Sequence, residues 1–512
     1  MRHNDESLCQ KETLNAPKQI HDITNLNINS TCHHPIQQIY PPSPNMNFSK
    51  RLRRVNVSQA VLQVVKGAQK WNDNGKNDAS WDIYEVSEHA KHTVNPIRQV
   101  CDTMSIAPNP NKSLIKLHLG DPSLTGSFPP SPVAEIAIET ALRSHKYNGY
   151  GPAIGYVEAR ESVARHFSTP QAPITADDVI LASGCSHALQ MAIEVLANPG
   201  DNILVPSPGF PLYSTLMRSH QIEDRFYELD MCEGAQINLD NLESLMDCRT
   251  RAIIVNNPSN PTGVVLSRDH LEDVLRIAHK HRLPIIADEI YGELTYDGAE
   301  FVPLATLEPR VPILTCDGIG KRYLVPGWRL GWLIVHDRYD AFTQIRKGLV
   351  ALSQKIVGPC ALIQGALPKI LSDTPASFFE RITSILAKNA CIVHERLSRV
   401  RGLRPLKPNG AMYMMIAIDE QFYGDDKTFV QNLIAEESVF CLPGSAFHAP
   451  SWFRIVLTHP TNVTIEACER IIQYCNRRGC IQHKTPTSQF SDAFQELSNE
   501  TSESECFLSE SD

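Results

Sequence analysis

Residues 313–337 read ILTCDGIGKRYLVPGWRLGWLIVHD, a stretch that places one lysine between two apolar strands. The first predicted strand, Ile313 to Cys316, runs into a turn of small residues that presents Lys321, and Arg329 precedes the second strand. Burial disfavours the charged form of a lysine, which predicts that Lys321 is available as the neutral amine that attacks aldehydes. The planar guanidinium of Arg329 suits a phosphate dianion. A phosphorylated aldehyde such as pyridoxal phosphate satisfies both side chains, although a lone lysine of this kind is more often a surface residue.

A second polar residue, Asp288, ends the apolar run from Ile285 to Ala287. Ligands of α/β proteins bind at the carboxyl ends of the strands. A buried aspartate there needs a cationic partner, because an unpaired buried charge is costly. The pyridinium nitrogen of the cofactor is such a partner, and the pair keeps the ring protonated and able to accept carbanion electrons. Tyr291 lies three residues further on and can hydrogen-bond the cofactor's phenolic oxygen, although each residue alone is also typical of an ordinary strand end.

Two loops complete the predicted cofactor site. The stretch DDVILASGCSHALQ predicts a strand from Val179 to Ala182, a tight turn and a helix from Ser186, with further hydroxyl donation from Ser183. The unpaired N–H groups and the dipole of a helix N-terminus suit a phosphate. The stretch AIIVNNPSNPTG predicts a strand and two Asn-Pro turns, in which the backbone of Asn260 is held away from the helical region so that its amide can donate to the ring oxygen. Both kinds of turn also occur without any ligand.

From about Trp71 to Arg478 the chain resembles the fold-type I pyridoxal-phosphate-dependent aminotransferases. The stretches that carry the resemblance include NPIRQV, KYNGYGPAIGY, SGCSHAL, VNNPSNPTG, ADEIYGEL, KRYLVPGWRLGW, PNGAMYMM and FRIVLTHP. The NPTG and lysine motifs mark the fold type broadly, whereas KRYLVPGWRLGW together with KYNGYGPAIGY is much narrower. The resemblance implies an α/β fold, with a mainly parallel central sheet in a large domain and a smaller α+β domain.

The resemblance also implies a role for each matching residue in cofactor binding. Lys321 forms the Schiff base with the cofactor, Asp288 pairs with the pyridine nitrogen, and Tyr291 hydrogen-bonds the phenolic oxygen. The remaining cofactor contacts implied within the subunit are Gly184, Cys185, Ser186, Phe210, Asn260 and Arg329. Gly318 departs from the family pattern, because many members have a serine three residues before the lysine, and this weakens one expected phosphate contact.

Substrate binding and assembly follow from the same resemblance. Arg454, in the apolar stretch SWFRIVLTHP, is implied to bind the substrate α-carboxylate, with Asn260 and the backbone of Gly120 also in contact. From the residues alone, an arginine in such a strand is more often an edge or salt-bridge residue. Tyr150 is implied to reach the phosphate of the neighbouring subunit's cofactor, and this predicts a homodimer with shared active sites.

The activity implied is transamination of L-tyrosine and related aromatic amino acids with 2-oxoglutarate, giving 4-hydroxyphenylpyruvate and glutamate. Two other hypotheses stay open. One keeps the cofactor but changes the reaction or the specificity, as in a C–S lyase or an enzyme for kynurenine; a lyase releases ammonia and pyruvate without any 2-oxo acid. The other is a catalytically silent protein of the same fold that serves as a regulatory partner.

Composition sets wider limits. The chain has 512 residues, 42% of them hydrophobic, and a formal net charge of −9, which predicts a large core in two domains and no nucleic-acid partner. Its 14 cysteines are scattered without a CxxC pair or zinc spacing, which predicts reduced thiols, no metal site and a cytoplasmic location. No apolar run is long enough to span a membrane, and no membrane partner is expected.

The chain is predicted to divide into five regions. Residues 1–75 form a disordered extension, 76–120 begin the small domain, 121–360 form the large cofactor domain, 361–480 complete the small domain, and 481–512 form an acidic, Ser-rich disordered tail. The basic run Lys50 to Arg54 resembles part of a mitochondrial transit peptide only if translation begins at Met46.

Overall fold

A computed structural model describes residues 85–103, 106–125, 128–307 and 309–479. The chain divides into two units, Met1–Ile83 and Tyr84–Asp512, and every described residue belongs to the second. The predictions for residues 1–75, for a start at Met46 and for the tail 481–512 therefore lie outside the described residues. Within them, no helix combines the length and the apolar character needed to cross a membrane.

An eight-stranded sheet with the order β2-β9-β8-β7-β6-β3-β4-β5 forms the centre of this unit. Its strands are β2 (Val179–Ala182), β3 (Asn202–Ser207), β4 (Glu223–Asp230), β5 (Gln236–Ile237), β6 (Thr250–Asn256), β7 (Ile285–Asp288), β8 (Ile313–Gly318) and β9 (Gly331–His336). The run from β8 through β7, β6 and β3 to β4 is parallel, whereas β2–β9, β9–β8 and β4–β5 pair antiparallel. The prediction of a mainly parallel central sheet is therefore confirmed.

Apolar clusters cover both faces of this sheet, as is shown by alternate residues of one strand that pack in different clusters. Ile286 of β7 packs in one apolar cluster, whereas its neighbours Ile285 and Ala287 pack in another. A strand buried on both faces shows a continuous apolar run rather than alternation, as these strands do. The helices described before β10 are α1 (Glu88–His92), α2 (Pro96–Thr103), α3 (Pro132–Arg143), α4 (Val157–Phe167), α5 (Cys185–Leu196), α6 (Leu212–Ser219), α7 (Leu239–Ser244), α8 (Arg268–His281), α9 (Ile319–Arg322), α10 (Thr343–Ser353), α11 (Ala361–Asp373) and α12 (Ala376–Leu397).

A smaller antiparallel sheet with the order β10-β11-β14-β13 follows in the C-terminal part. Its strands are β10 (Leu403–Pro405), β11 (Tyr413–Ile418), β13 (Leu442–Pro443) and β14 (Trp452–Val456), and the helices beside it are α13 (Glu420–Tyr423), α14 (Asp426–Glu437) and α15 (Thr461–Gly479). The short strand β1 (Ile115–Lys116) pairs in parallel with β12 (Val439–Phe440). Residues near 115 and the C-terminal part therefore share one core, in which Ile115 and Leu117 pack with Phe453.

Two element boundaries differ slightly from those expected. The helix predicted from Ser186 begins one residue earlier, at Cys185, because Gly184 caps it with a φ of 78°, which glycine adopts without strain. The strand predicted from Ile313 to Cys316 continues to Gly318, because its partner β9 stays in register as far as Gly331.

Candidate active site

One cavity of about 310 Å³ collects nearly all of the predicted site residues. Those that line it are Gly120, Gly184, Cys185, Ser186, Phe210, Asn260, Asp288, Tyr291, Lys321, Arg329 and Arg454. The topology explains why they meet: Asp288 ends β7, Asn260 follows β6, and Lys321 follows β8, and these parallel neighbours end at the same edge of the sheet.

Lys321 lies on the one-turn helix α9, and its Nζ donates a hydrogen bond to the carbonyl oxygen of Gly120 at 2.5 Å. The next residue, Arg322, is buried on the other side of this helix, where it pairs with Asp317 at 2.7 Å and with Glu293 at 3.3 Å. Burial raises the pKa of Asp317 to about 7, although Arg322 acts to lower it. These ion pairs hold both ends of α9, which is too short to be stable alone.

Asp288 is 3% exposed and accepts two side-chain hydrogen bonds. The hydroxyl of Tyr213 donates to Oδ2 at 2.6 Å, and the thiol of Cys185 approaches Oδ1 at 3.6 Å. Burial raises the pKa of Asp288, while Tyr213, the Ile290 N–H and Cys185 act to lower it. Among the described residues it makes no side-chain ion pair, so that a buried carboxylate faces the cavity with no cation of the protein bound to it.

The predicted phosphate cradle joins the N-terminus of α5 to Arg329. Arg329 is exposed, and its Nη2 donates to the carbonyl oxygen of Ser183 at 3.1 Å. A Cβ atom at Gly184 would lie 2.6 Å from that same Nη2, so glycine is required for this approach. The same argument applies to Gly318, because a Cβ there would lie 2.7 Å from the backbone of Gly331. The close pairing of β8 and β9 therefore accounts for glycine at this position, where many members of the family have a serine.

Arg454 is 2% exposed and is held at the opposite end of the cavity. Its Nη1 donates to Oδ1 of Asn260 and its Nη2 to the carbonyl oxygen of His118, both at 2.8 Å. Burial lowers the pKa of Arg454, and its Nε is buried without a partner in the described part of the chain. Because Oδ1 of Asn260 accepts from Arg454, the amide nitrogen Nδ2 is the donor that remains for a ligand.

Tyr291 and Tyr413 form a hydroxyl pair in the same cavity, with their oxygens 2.8 Å apart. The guanidinium of Arg454 lies over the ring of Tyr413, 4.2 Å from its centroid. Burial and the neighbouring Tyr413 raise the pKa of Tyr291 well above its ordinary value. Gly120 passes beside this pair, and a Cβ there would clash with the Tyr413 hydroxyl, which explains why the backbone is open to a ligand at this point.

Several residues of the site were not predicted. Tyr413, Arg98 and His118 line the cavity, and Tyr213 binds Asp288 from behind. The ring of His118 stacks on Phe440, and burial lowers its pKa to about 4. None of the four has a local chemical signature, although Arg98 and Tyr413 lie in the quoted stretches NPIRQV and PNGAMYMM.

Ser183, which was predicted as a hydroxyl donor, does not line the cavity, and neither does Tyr150. The side chain of Tyr150 is 94% exposed. A role at the cofactor of a neighbouring subunit therefore stays a prediction that requires a second copy of the chain.

The residues present fit pyridoxal phosphate. The cavity offers a lysine amine, a buried carboxylate without a cation, a helix N-terminus beside an arginine, and a second arginine with an unpaired buried Nε. Within the described residues, no group of three or more His, Cys, Asp or Glu side chains is arranged to hold a metal ion.

Comparisons with known proteins agree with this chemistry. Residues 112–471 match the family model described as aminotransferase class I and II. The chain is 55% identical to a tyrosine aminotransferase of Caenorhabditis elegans over 78% of this chain and 86% of that protein. It is 48% identical to the tyrosine aminotransferase of Homo sapiens over 78% of this chain and 88% of that protein. A crystal structure of tyrosine aminotransferase from Leishmania infantum superposes with a TM-score of 0.75 at 31% identity, covering 78% of this chain and all of that one.

Proposed function

The chain belongs to the class I and II aminotransferases, and on this premise we propose that it transfers the amino group of L-tyrosine and related aromatic amino acids to 2-oxoglutarate. The products are 4-hydroxyphenylpyruvate and glutamate, and the cofactor is pyridoxal phosphate. The observation that carries the proposal is the convergence of Lys321, Asp288 and Arg454 on one cavity. Support for tyrosine comes from the names of the two relatives at 55% and 48% identity.

When bound, pyridoxal phosphate supplies the aldehyde that takes up the amino group and the ring that accepts electrons from the substrate Cα. We assign Asp288 to hold the proton on the ring nitrogen, because it is a buried acceptor on the cavity wall and forms no ion pair with any described cation. Tyr291 and the Nδ2 of Asn260 donate to the phenolic oxygen, and Phe210 lies against the ring. The residues assigned to the phosphate are Gly184, Cys185, Ser186 and Arg329.

Arg454 is assigned to the α-carboxylate of the amino acid, because its guanidinium is buried, oriented by Asn260 and still has an unpaired Nε. A carboxylate held there fixes the Cα–H bond relative to Lys321. The Nζ of Lys321 would then be placed to accept the proton from Cα and to carry it as the base of the reaction. A base positioned in this way contributes roughly 10²–10⁴-fold to the rate.

The lining of the cavity supports an aromatic side chain as the substrate group. Aromatic rings bind by burying apolar area. Besides its polar residues, the cavity is lined by apolar side chains, which include Ile97, Leu119, Leu189, Phe210, Leu212 and Ile290.

We propose a homodimer as the active form. Large apolar side chains are exposed on α3, between Tyr150 and the start of α4, and on and just after α10. They are Ile136, Leu142, Tyr150, Val157, Val350, Ile356 and Val357. The last two segments are adjacent, because a Cβ at Gly358 would lie 3.0 Å from the carbonyl oxygen of Ala153. A cluster of exposed apolar residues of this kind is typical of a protein–protein interface.

We propose the cytoplasm as the location of the enzyme. Among the described residues, no disulfide joins the ten cysteines, a state that the reducing cytoplasm maintains.

Purified protein tests the function directly. We expect a visible chromophore that borohydride bleaches and that is absent from a Lys321→Ala variant. A panel of amino donors with 2-oxoglutarate should rank tyrosine first. A strong preference for aspartate or alanine would remove the substrate assignment, and release of ammonia and pyruvate without a 2-oxo acid would identify a lyase instead.

A further inference from the structure

The backbone of Ser183 is held on both sides in the loop between β2 and α5. Its N–H donates to Nδ1 of His187 at 3.3 Å, and its carbonyl oxygen accepts from Nη2 of Arg329 at 3.1 Å. Gly184 caps α5 and donates its own N–H to the carbonyl oxygen of Ala182 at 2.8 Å, whereas Cys185 and Ser186 carry N–H groups of the first turn of the helix. The two arms of the phosphate cradle, the helix N-terminus and Arg329, thus meet at the backbone of Ser183, whose N–H is bound to His187.

His187 can play this part only as a neutral imidazole. An Nδ1 that accepts an N–H bond carries no proton, so the ring proton lies on Nε2. Burial lowers the pKa of His187, Lys355 acts in the same direction, and Glu194, about two turns further along α5, opposes them. Glu194 is itself paired with Lys355 and lies 3.0 Å from His220, so that its charge is largely compensated.

Protonation of the ring would replace the acceptor at Nδ1 by a second donor facing the Ser183 N–H. The loop would then lose one of its two anchors, and Arg329 would lose the fixed position of the carbonyl to which it is bound. The mechanism assigned above does not use His187, although the residue lies in the quoted stretch SGCSHAL.

We propose that His187 is a positioning residue for the phosphate-binding loop, and that its neutral imidazole makes recognition of the cofactor phosphate sensitive to mild acid. This rests on the proposed function in one respect only, that the cofactor phosphate binds at this loop. The residue touches neither cofactor nor substrate; it acts through the Ser183 peptide.

The test compares dissociation constants of two ligands, pyridoxal phosphate and pyridoxal, for the cofactor-free full chain and two variants. Pyridoxal lacks the phosphate, so the ratio of the two constants isolates phosphate recognition. His187→Leu removes the acceptor, and we expect the preference for the phosphorylated ligand to fall roughly three- to tenfold, the range for one lost hydrogen bond. His187→Asn places an amide oxygen near the position of Nδ1 and should retain most of the preference.

The same constants measured at several pH values from 8 to 5.5 supply a second readout. The phosphate of the ligand titrates near pH 6 in every variant, and this effect cancels when wild type is divided by His187→Asn. We expect wild type to bind pyridoxal phosphate as tightly as His187→Asn at pH 8. Because burial lowers the pKa of His187, wild type should bind progressively less tightly only at pH values below the ordinary histidine pKa of about 6.5.

The outcomes separate the two proposals. If wild type does not prefer pyridoxal phosphate over pyridoxal, the proposed function fails. If wild type shows that preference but His187→Leu keeps it in full, or loses affinity for both ligands equally, the inference about His187 is overturned while the function stands. A wild-type to His187→Asn ratio that stays constant with pH would overturn the part of the proposal that concerns acid. Thermal unfolding of each cofactor-free variant checks that the chain is folded.

Discussion

At the scale of single residues, Asp288 shows that a residue predicted from a local pattern is held in place by residues that local patterns do not identify. It follows an apolar strand, and its place at the end of β7 could be predicted from that pattern. Tyr213 could not be predicted as its partner, because the two residues lie 75 positions apart and meet only through the tertiary fold. Tyr413 meets Tyr291 across 122 positions for the same reason. Sequence patterns therefore locate the residues at strand ends, whereas the residues that orient them depend on packing.

The first prediction concerns Tyr213→Phe in the cofactor-free chain. The pKa of Asp288 lies above its ordinary value in the folded state, and the Tyr213 hydrogen bond holds it down. A group with a raised folded pKa contributes stability at low pH, and that stability is lost as the pH rises through the folded pKa. Removal of the hydroxyl should therefore reduce the free energy of unfolding by about 1.5–3 kcal/mol at pH 8 and by less at pH 5.

Urea unfolding at several pH values between 5 and 8 measures this, with Tyr227→Phe as the matched control. Tyr227 is buried like Tyr213, but its hydroxyl donates to the carbonyl oxygen of Ile254, which does not titrate. The control should lose stability by an amount that does not change with pH. Equal pH dependence in both variants would contradict the assignment of Tyr213 to the Asp288 carboxylate.

The second prediction concerns Arg454→Lys. Lysine keeps the charge but cannot make the two directed bonds to Asn260 and His118 while also presenting a planar fork to a carboxylate. We expect kcat/KM for tyrosine to fall by about 10- to 150-fold, the equivalent of about 1.5–3 kcal/mol for a hydrogen bond to a charged group. Steady-state kinetics measure this, and Arg470→Lys, also buried but bound to the carbonyl oxygens of Ser113 and Glu437, should leave kcat/KM unchanged.

At the scale of elements, the helix α9 depends on an ion pair more than on its own hydrogen bonds. A strand and a turn before Lys321 could be predicted here, because apolar runs and small residues have clear local signals. The ion pairs of Arg322 with Asp317 and Glu293 could not be predicted, because the order of the charged residues does not show which of their side chains are buried. The position of Lys321 therefore depends on the ion pairs of its neighbour Arg322 as well as on the strand β8.

The third prediction concerns Arg322→Met, which leaves Asp317 without its cation. Removal of one partner of a buried ion pair lowers stability by about 3–5 kcal/mol. Because the pKa of Asp317 is raised to about 7, and Arg322 acts to lower it, the loss should be larger at pH 8 than at pH 5, where Asp317 takes up a proton. The double variant Asp317→Asn with Arg322→Met should recover part of the loss. Urea unfolding of Arg322→Met, Asp317→Asn and the double variant at both pH values checks this, and additive losses in the double variant would argue against a direct pair.

At the scale of the whole molecule, we propose two domains, with the large one spanning about residues 121–360 and the small one combining about 76–120 with 361–480. All eight strands of the large sheet lie between Val179 and His336, whereas β1 pairs with β12 near the C-terminus. The alternation of strands and helices allowed the large domain to be predicted from sequence. The pairing of Ile115 with Val439 joins segments that are far apart in the chain, so no local pattern of the sequence specifies it.

The last prediction concerns two copies of the chain and the exposed Tyr150. We expect Tyr150→Phe and Lys321→Ala each to be weakly active or inactive as pure dimers. If Tyr150 acts on the cofactor of the neighbouring subunit, a hybrid dimer has one site that combines an intact Lys321 from the first chain with an intact Tyr150 from the second. Mixing the two variants under conditions that exchange subunits should therefore restore activity, up to one working site in each hybrid. If Tyr150 acted within its own chain, every site in the hybrid would keep one defect and the mixture would stay at the average of its parts. Light scattering should show a dimer throughout, because Phe keeps the apolar area that covers this surface.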